Sequence, residues 1–406
     1  ERIGFLVTRH NVMPENILGL TFTRNAAEEM RNRLIPVLGE LAQRVTLSTI
    51  HSFCHYLLRS EGKMFEIISG KEQIGMVRNL MKRKRMDVSV GTVLREISLA
   101  KNNLIGVEEF RALYESDKLM SKVAAVYEGY EKEKAKKYLL DFDDLLVETY
   151  NLLSTDDSIR EKVSERYLHV LIDEFQDTNP VQLEIIKLIV DHENSAEKSY
   201  WITGDDWQSI YSFAGASVNN LLNFKNNFKQ SEIFILNINY RSTPQILRAC
   251  QNLISHNVRK IEKTLKTDNP EGDEVIVLES SSEEGEALSI VNEIRELTER
   301  KGYQYKDCAV LYRANFQSRT IEETFSQMKI PYHIENGLNF YQRSEVRYLL
   351  DYLRVISNPD SEEGDEGLKS ILNVPNRYIS RKFVQELQEF SNKQNVHLYE
   401  GLKLLP

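Results

Sequence analysis

The sequence predicts an α/β protein built on parallel sheets, and three observations carry that prediction. Apolar, β-branched runs end in polar residues at Ile17 to Thr23, Val45 to Ser52 and Tyr167 to Asn179. Buried strands read this way when they carry ligand-binding groups at their C-terminal ends, where α/β sheets hold ligands. Each run also leads into a helix: Asn25-Ala26-Ala27-Glu28-Glu29-Met30 after the first, the amphipathic Cys54 to Arg59 after the second, and a helix opened by Pro180 after the third. Strand and helix then alternate again, with strands expected at Cys308 to Asn315 and Ile330 to Ile334 and a helix at Ser318 to Gln327.

Composition sets the outer limits. A chain of 406 residues with 41% hydrophobic content can bury more than one core, so two or more domains are expected. The charged fraction of 28% and the lack of an apolar run of about 18 residues argue against a membrane span. Cys54, Cys250 and Cys308 are widely spaced and form no metal-ligand pattern, which fits reduced thiols in a cytoplasmic protein. A net charge of −9 argues against a broadly basic nucleic-acid coat and leaves a local basic or aromatic groove open. Residues 60–160 are helical in pattern and rich in Lys and Glu; the basic run Lys82-Arg83-Lys84-Arg85 suits phosphates or a solvated helix face equally.

The chemistry concentrates at the third run. Asp173 and Glu174 follow the apolar strand directly. In nucleoside-triphosphate hydrolysis an acid at such a strand end holds the magnesium bridging two phosphates, and a neighbouring acid orients the attacking water. Asp173 fits the first role and Glu174 the second, although a solvated Asp-Glu pair at a strand end is the commoner reading of the dipeptide alone. Thr21-Phe22-Thr23 places hydroxyls at a helix start, suited to phosphate binding or to capping. Thr49 and His51 end the second strand, where a lone histidine is more often a satisfied interior group. Tyr200 to Ala216 reads as a strand and a loop carrying Gln208, Tyr211 and Phe213; Leu236 to Leu247 carries Tyr240 and Arg241.

Asp-Glu-Phe-Gln-Asp-Thr-Asn at 173–179 resembles motif II of the UvrD/Rep/PcrA family of superfamily-one DNA helicases. The other segments follow in family order: Thr21-Phe22-Thr23 resembles motif Ia, Thr49-Ile50-His51 motif Ib, Gly204 to Ala216 motif III, and Leu236 to Leu247 motif IV. Residues 308–359 match the second core of the family, and Asn373 to Ile379 the entry into its second insertion. The departures are Arg24-Asn25 for Asn-Lys, Ile50 for Phe, Ala214 for Arg and Tyr378 for Gly, with Trp207 giving motif III a helicase IV-like character.

The resemblance implies two RecA-like parallel-sheet cores, both incomplete, with helical inserted subdomains. Residues 1–58 and 161–234 would form the first core, 59–160 a helical insertion, 235–376 the second core and 377–406 the start of a second insertion. ATP and Mg2+ are the implied cofactors. Asp173 would hold the metal, Glu174 act on water, Gln208 sense the γ-phosphate, Arg241 reach it as a forked cation and Tyr240 stack on adenine. Thr21, Phe22, Thr23, Thr49, His51, Tyr211 and Phe213 would meet DNA, the aromatic faces stacking on bases of any sequence. Leu140 to Leu146 resembles the segment that closes the first insertion and is read as structural, its acids capping or pairing.

The implied activity is ATP-driven 3′-to-5′ movement on single-stranded DNA and unwinding at single/double-strand junctions, in repair or replication, beside proteins of those processes and away from membranes. The phosphate loop Gly-x-x-x-x-Gly-Lys-Ser/Thr does not occur, and motifs V and VI would follow Pro406, so the chain alone is expected to be catalytically incomplete. A non-hydrolysing DNA-binding or interaction protein, or the motor subunit of a helicase-nuclease, are the alternatives.

Overall fold

The computed structural model describes residues 1–190, 198–210, 215–228, 231–334 and 344–405. The chain separates into two compact units, Glu1–Glu274 and Val275–Pro406.

The first unit is organised by a four-stranded, wholly parallel sheet. Its strands are β1 (Ile17–Thr21), β2 (Thr46–Thr49), β5 (His169–Ile172) and β6 (Ser199–Ile202), in the order β2-β1-β5-β6. The two-residue strands β3 (Glu66–Ile67) and β4 (Leu139–Leu140) pair separately. Strand β1 is buried along its whole length, as a central parallel strand covered on both faces must be. Its side chains divide by the period of two. Leu18 and Leu20 join a cluster with Phe53, Leu57, Leu145, Val170, Ile172, Phe175 and Ile186. Ile17 faces the other way, among Leu6, Leu34, Leu38, Val45 and Leu47. Gly19, paired in register with Leu47, is where these faces close up: a Cβ there would meet Leu47 Cδ2 at 2.4 Å.

Helices α1 (Arg2–His10) and α2 (Arg24–Leu38) supply the second cluster, and α3 (Ile50–Ser60) the first. Between α3 and β5 the chain builds α4 (Gly70–Arg83), α5 (Val90–Asn102), α6 (Val107–Leu113) and α7 (Lys118–Lys136), which share a core of their own around Val77, Ile97, Phe110, Val126 and Tyr130. Helices α8 (Phe142–Thr155) and α9 (Asp157–Arg166) return to the sheet, with Leu145, Leu146, Leu153 and Val163 in its cluster. Helix α10 (Pro180–Val190) crosses from β5 towards β6, placing Val181, Ile185, Ile186 and Ile189 in the same cluster.

The return into α8 is held by a buried ionic knot. Asp141 caps α8 by accepting from Asp144 N at 2.9 Å, while Asp144 Oδ2 accepts from Asp141 N at 2.8 Å. Lys101 Nζ donates to Asp141 at 2.8 Å, to Asp144 at 2.6 Å and pairs with Glu131 at 2.8 Å. Lys134 meets the same three carboxylates. Burial pushes the Asp141 carboxyl up, yet the two ammonium groups outweigh it and hold it below the usual carboxylate range. The three acids lie close enough to suggest a metal site, but the lysine ammonium groups already occupy their oxygens. The acids are structural, as the sequence suggests.

The second unit consists, among its described residues, of helices Glu283–Arg300, Ser318–Gln327, Ser344–Ser357, Glu362–Ile371, Arg381–Gln394 and Leu398–Leu404. Val291, Ile294, Phe325 and Ile330 form one core and Leu368, Leu372, Leu387 and Leu398 another. The strands expected at Cys308 to Asn315 and Ile330 to Ile334 are not formed. A strand exists only through a ladder partner, and none lies beside either segment among the described residues; Leu311 is 93% exposed. No helix of the described residues is long and apolar enough to cross a membrane.

Candidate functional site

The C-terminal ends of β5 and β6 bring the predicted acid Glu174 and the predicted amide Gln208 onto one hydrogen-bonded path, with Asp173 beside it. Asp173 N donates to Leu20 O at 2.9 Å, extending the β1–β5 ladder one residue past the strand. Thr203 leaves β6 in the same way, its N donating to Ile172 O at 2.8 Å. This puts the Thr203 hydroxyl on Asp173 Oδ1 at 2.6 Å, which fixes the carboxylate.

Glu174 takes a left-handed backbone, φ 52° and ψ 46°, before the chain turns into a short 3₁₀ segment. A non-glycine residue stays in this region only where its surroundings enforce it. Phe175 is fully buried and its N donates to Thr203 O at 3.0 Å, so the turn is locked on its far side and the Glu174 side chain is left exposed. Gln176, 1% exposed, is the link that sequence reasoning missed. Its Nε2 donates to Glu174 Oε2 at 2.7 Å, and its Oε1 accepts from Asp205 N at 3.0 Å. Asp205 Oδ2 in turn accepts from Gln208 Nε2 at 2.7 Å. Glu174, Gln176, Asp205 and Gln208 are therefore one relay across the strand ends. Only the position of Gln176 inside the acidic motif hinted at this.

Two further features surround the relay. Lys263 Nζ pairs with both Asp205 and Asp206, the latter at 2.8 Å, and lies 4.7 Å from the centre of the Trp207 ring. Burial raises the Asp205 carboxyl, but Lys263 and the Gln208 amide outweigh that and hold it below the ordinary range. Nothing in the sequence marked Lys263. Asp177 is pushed up to about 6 by burial and by the Glu174 charge, and its buried Oδ1 has no hydrogen-bond partner among the described residues.

The other predicted residues take varied positions. Thr21 is 2% exposed at the end of β1, its hydroxyl without a partner among the described residues, while Phe22 is exposed. Thr23 caps α2 by accepting from Ala26 N at 3.1 Å. Thr49 caps α3 in the same manner, accepting from Ser52 N at 3.2 Å, and is buried. Burial lowers the His51 imidazole and favours its neutral form. Tyr240 is 79% exposed, and Arg241 is exposed beside it. Asn239 holds their turn by accepting from Arg241 N at 2.9 Å and Ser242 N at 2.7 Å. Among the described residues no hydrogen bond or ion pair joins Tyr240 or Arg241 to the acids, whereas Asn239 N donates to Lys266 O at 2.7 Å, in the segment that carries Lys263. Tyr211 and Phe213 lie outside the described residues.

Asp173 and Thr203 together offer hard oxygen donors, a set that fits Mg2+, which takes one or two carboxylates and completes its shell with water and phosphate.

Comparison with known proteins places this arrangement. Residues 1–229 match the model of the UvrD/REP helicase N-terminal domain, and residues 234–404 match that of the UvrD-like helicase C-terminal domain. The chain is 36% identical over 411 aligned residues to the ATP-dependent DNA helicase PcrA of Staphylococcus epidermidis, and 33% identical over 410 to that of Staphylococcus aureus. Each alignment covers 99% of this chain and 55% of the relative, so the chain spans about half the length of the curated relatives it matches. The match of both domain models in order, over strand ends that carry the acids and the amide relay, establishes that the chain belongs to the UvrD/Rep-like family of superfamily-one DNA helicases.

Proposed function

We propose that this chain is the larger part of the motor of an ATP-dependent DNA helicase that moves 3′-to-5′ on single-stranded DNA and opens duplex ahead of it, within the cytoplasm, in repair or replication. The observation that carries this reading is the relay from Glu174 through Gln176 and Asp205 to Gln208, set beside the Asp173–Thr203 pair. Such a path lets a change at the acid reach a second loop without moving the sheet.

In this reading Asp173 holds Mg2+, which when bound supplies charge neutralisation for the phosphates. Glu174 Oε2 is held by Gln176, and its other oxygen takes the proton of the attacking water. Gln208 is the sensor: its amide can exchange the Asp205 contact for a phosphate oxygen. Arg241 supplies fixed positive charge and the exposed Tyr240 ring a face for adenine. The division into a first core at 1–58 and 161–234, an insertion at 59–160, a second core at 235–376 and a second insertion from 377 belongs to the same proposal. So does DNA contact by Thr21, Phe22, Thr23, Thr49, His51, Tyr211 and Phe213.

The test is single-strand-stimulated ATP hydrolysis and strand separation by the natural polypeptide that contains this sequence. Glu174→Gln should retain nucleotide binding and lower turnover by about 100-fold or more, the range of general-base removal. Turnover at the parent rate would remove Glu174 from its role, and DNA binding indifferent to nucleotide would favour a non-hydrolysing binding protein.

A further inference from the structure

Asn102 ends α5 and is hydrogen-bonded to the loop that follows the acids. It is 4% exposed, and both polar atoms of its side chain are hydrogen-bonded. Its Oδ1 accepts from Asn179 Nδ2 at 2.7 Å, in the loop that follows the acids. Its Nδ2 faces Ser98 Oγ at 3.3 Å within α5 and Asp143 Oδ1 at 3.4 Å at the start of α8. Its side chain also lies behind Gly215, where an added Cβ would meet Asn102 Nδ2 at 3.4 Å.

Asn179 and Thr178 carry the connection onward. Asn179 and Gln182 hold each other reciprocally, Asn179 N donating to Gln182 Oε1 at 3.1 Å and Gln182 N to Asn179 Oδ1 at 2.9 Å, which starts α10. Thr178 O accepts from Ser217 N at 2.9 Å and from Asn220 Nδ2 at 3.0 Å, and the Thr178 hydroxyl donates to Phe175 O at 2.7 Å. Phe175 directly follows Glu174. One buried carboxamide thus joins the insertion, the acidic loop and the 215–220 segment, and Lys101 beside it anchors the same helix end into the ionic knot at α8.

We propose that Asn102 is a positioning residue that couples the helical insertion to the loop carrying Asp173 and Glu174. Displacement of α5 reaches the acids through Asn179, Thr178 and Phe175. The coupling deepens the proposed function and rests on it for its effect on turnover, but the connection itself is readable without nucleotide.

The experiment compares Asn102→Leu and Asn102→Asp with the parent protein. Hydrogen exchange is read at Ser217 and through the first turn of α10, at about pH 5.5 and pH 8. The leucine variant removes both acceptor and donor, and those amides should exchange about tenfold faster, the factor expected for one buried hydrogen bond. The aspartate variant keeps the acceptor for Asn179 but sets a second carboxyl against Asp143, with Asp141 and Lys101 as the neighbouring charges. Burial and Asp141 already favour the protonated form of Asp143. That variant should therefore match the parent at about pH 5.5, where the pair shares a proton, and approach the leucine variant at about pH 8.

In single-strand-stimulated ATP hydrolysis by the natural polypeptide, Asn102→Leu should lower kcat with KM for ATP unchanged, and Asn102→Asp should recover kcat at the lower pH. Faster exchange confined to α5, or leucine and aspartate variants that behave alike at both pH values, would overturn the coupling. A parent polypeptide without ATP hydrolysis would overturn the proposed function instead, and exchange at Ser217 and α10 would then decide the coupling alone.

Discussion

Replacing Lys101 by Met tests whether the ionic knot, rather than apolar packing, secures α5 and α7 to the start of α8. Lys101 is 3% exposed and pairs with Asp141, Asp144 and Glu131. Met preserves most of the aliphatic stem, so the loss is electrostatic. It leaves three carboxylates around the single ammonium of Lys134. Removing one partner of a buried ionic set costs about 3–5 kcal/mol. With a urea slope of about 2–3 kcal/mol per molar for a unit of this size, the midpoint should fall by about 1–2.5 M. Both tryptophans, Trp201 and Trp207, lie in the first unit, so their fluorescence in urea reports that unit alone. The three carboxylates outweigh burial and raise the Lys101 ammonium above its ordinary value. Its contribution is therefore present below that ordinary value and fades only as pH rises through the higher folded one, so the deficit should be constant from about pH 6 to pH 9. Adding Asp144→Asn removes one of the stranded charges and should recover part of the loss. A midpoint within about 0.3 M of the parent, or a double variant weaker than the single one, would refute the argument.

Asp177→Asn should stabilise the first unit above pH 6 and leave it nearly unchanged at about pH 4, because the acid's pKa is raised to about 6 and the cost of its ionisation builds from its ordinary value up to about pH 6 and is constant above. Urea midpoints at the two pH values check this, and an equal effect at both would contradict it. Thr23→Ala should cost about 1 kcal/mol of stability by removing the α2 cap, with Thr23→Ser close to the parent; if serine and alanine behave alike in thermal melts, the cap is not what the hydroxyl provides. Gly204→Ala sets a Cβ 2.9 Å from Gln176 Oε1, so it should dislodge the relay, seen as faster exchange at Asp205 N, with little change in far-ultraviolet circular dichroism.

What the sequence made legible was whatever local pattern and strand polarity decide. Ile17 to Thr21, Thr46 to Thr49 and His169 to Ile172 are parallel strands whose C-terminal ends carry polar residues, as their composition implied. Asp141 and Asp144 are a cap and an ion set, not a metal centre. Other features depend on partners distant in the chain. Lys101 and Lys134 look like an ordinary charged helix face until α5 and α7 are brought to the start of α8. Gln176 acquires its role only when β6 delivers Asp205 beside it. The segment Cys308 to Asn315 has strand composition, yet composition cannot supply the neighbour that completes a ladder. Thr23 and Thr49 show the converse, since either a cap or a ligand contact satisfies the same residue type.

The left-handed backbone at Glu174 has a consequence for how this protein can change. An acid held at φ 52° is a residue that the fold would exchange for glycine at a gain, roughly 0.5–1 kcal/mol. Stability and the proposed chemistry therefore pull this position in opposite directions. Variants selected for heat tolerance alone should drift towards glycine or asparagine at 174, and survival of glutamate under that selection would mean that its bond from Gln176 outweighs the conformational strain.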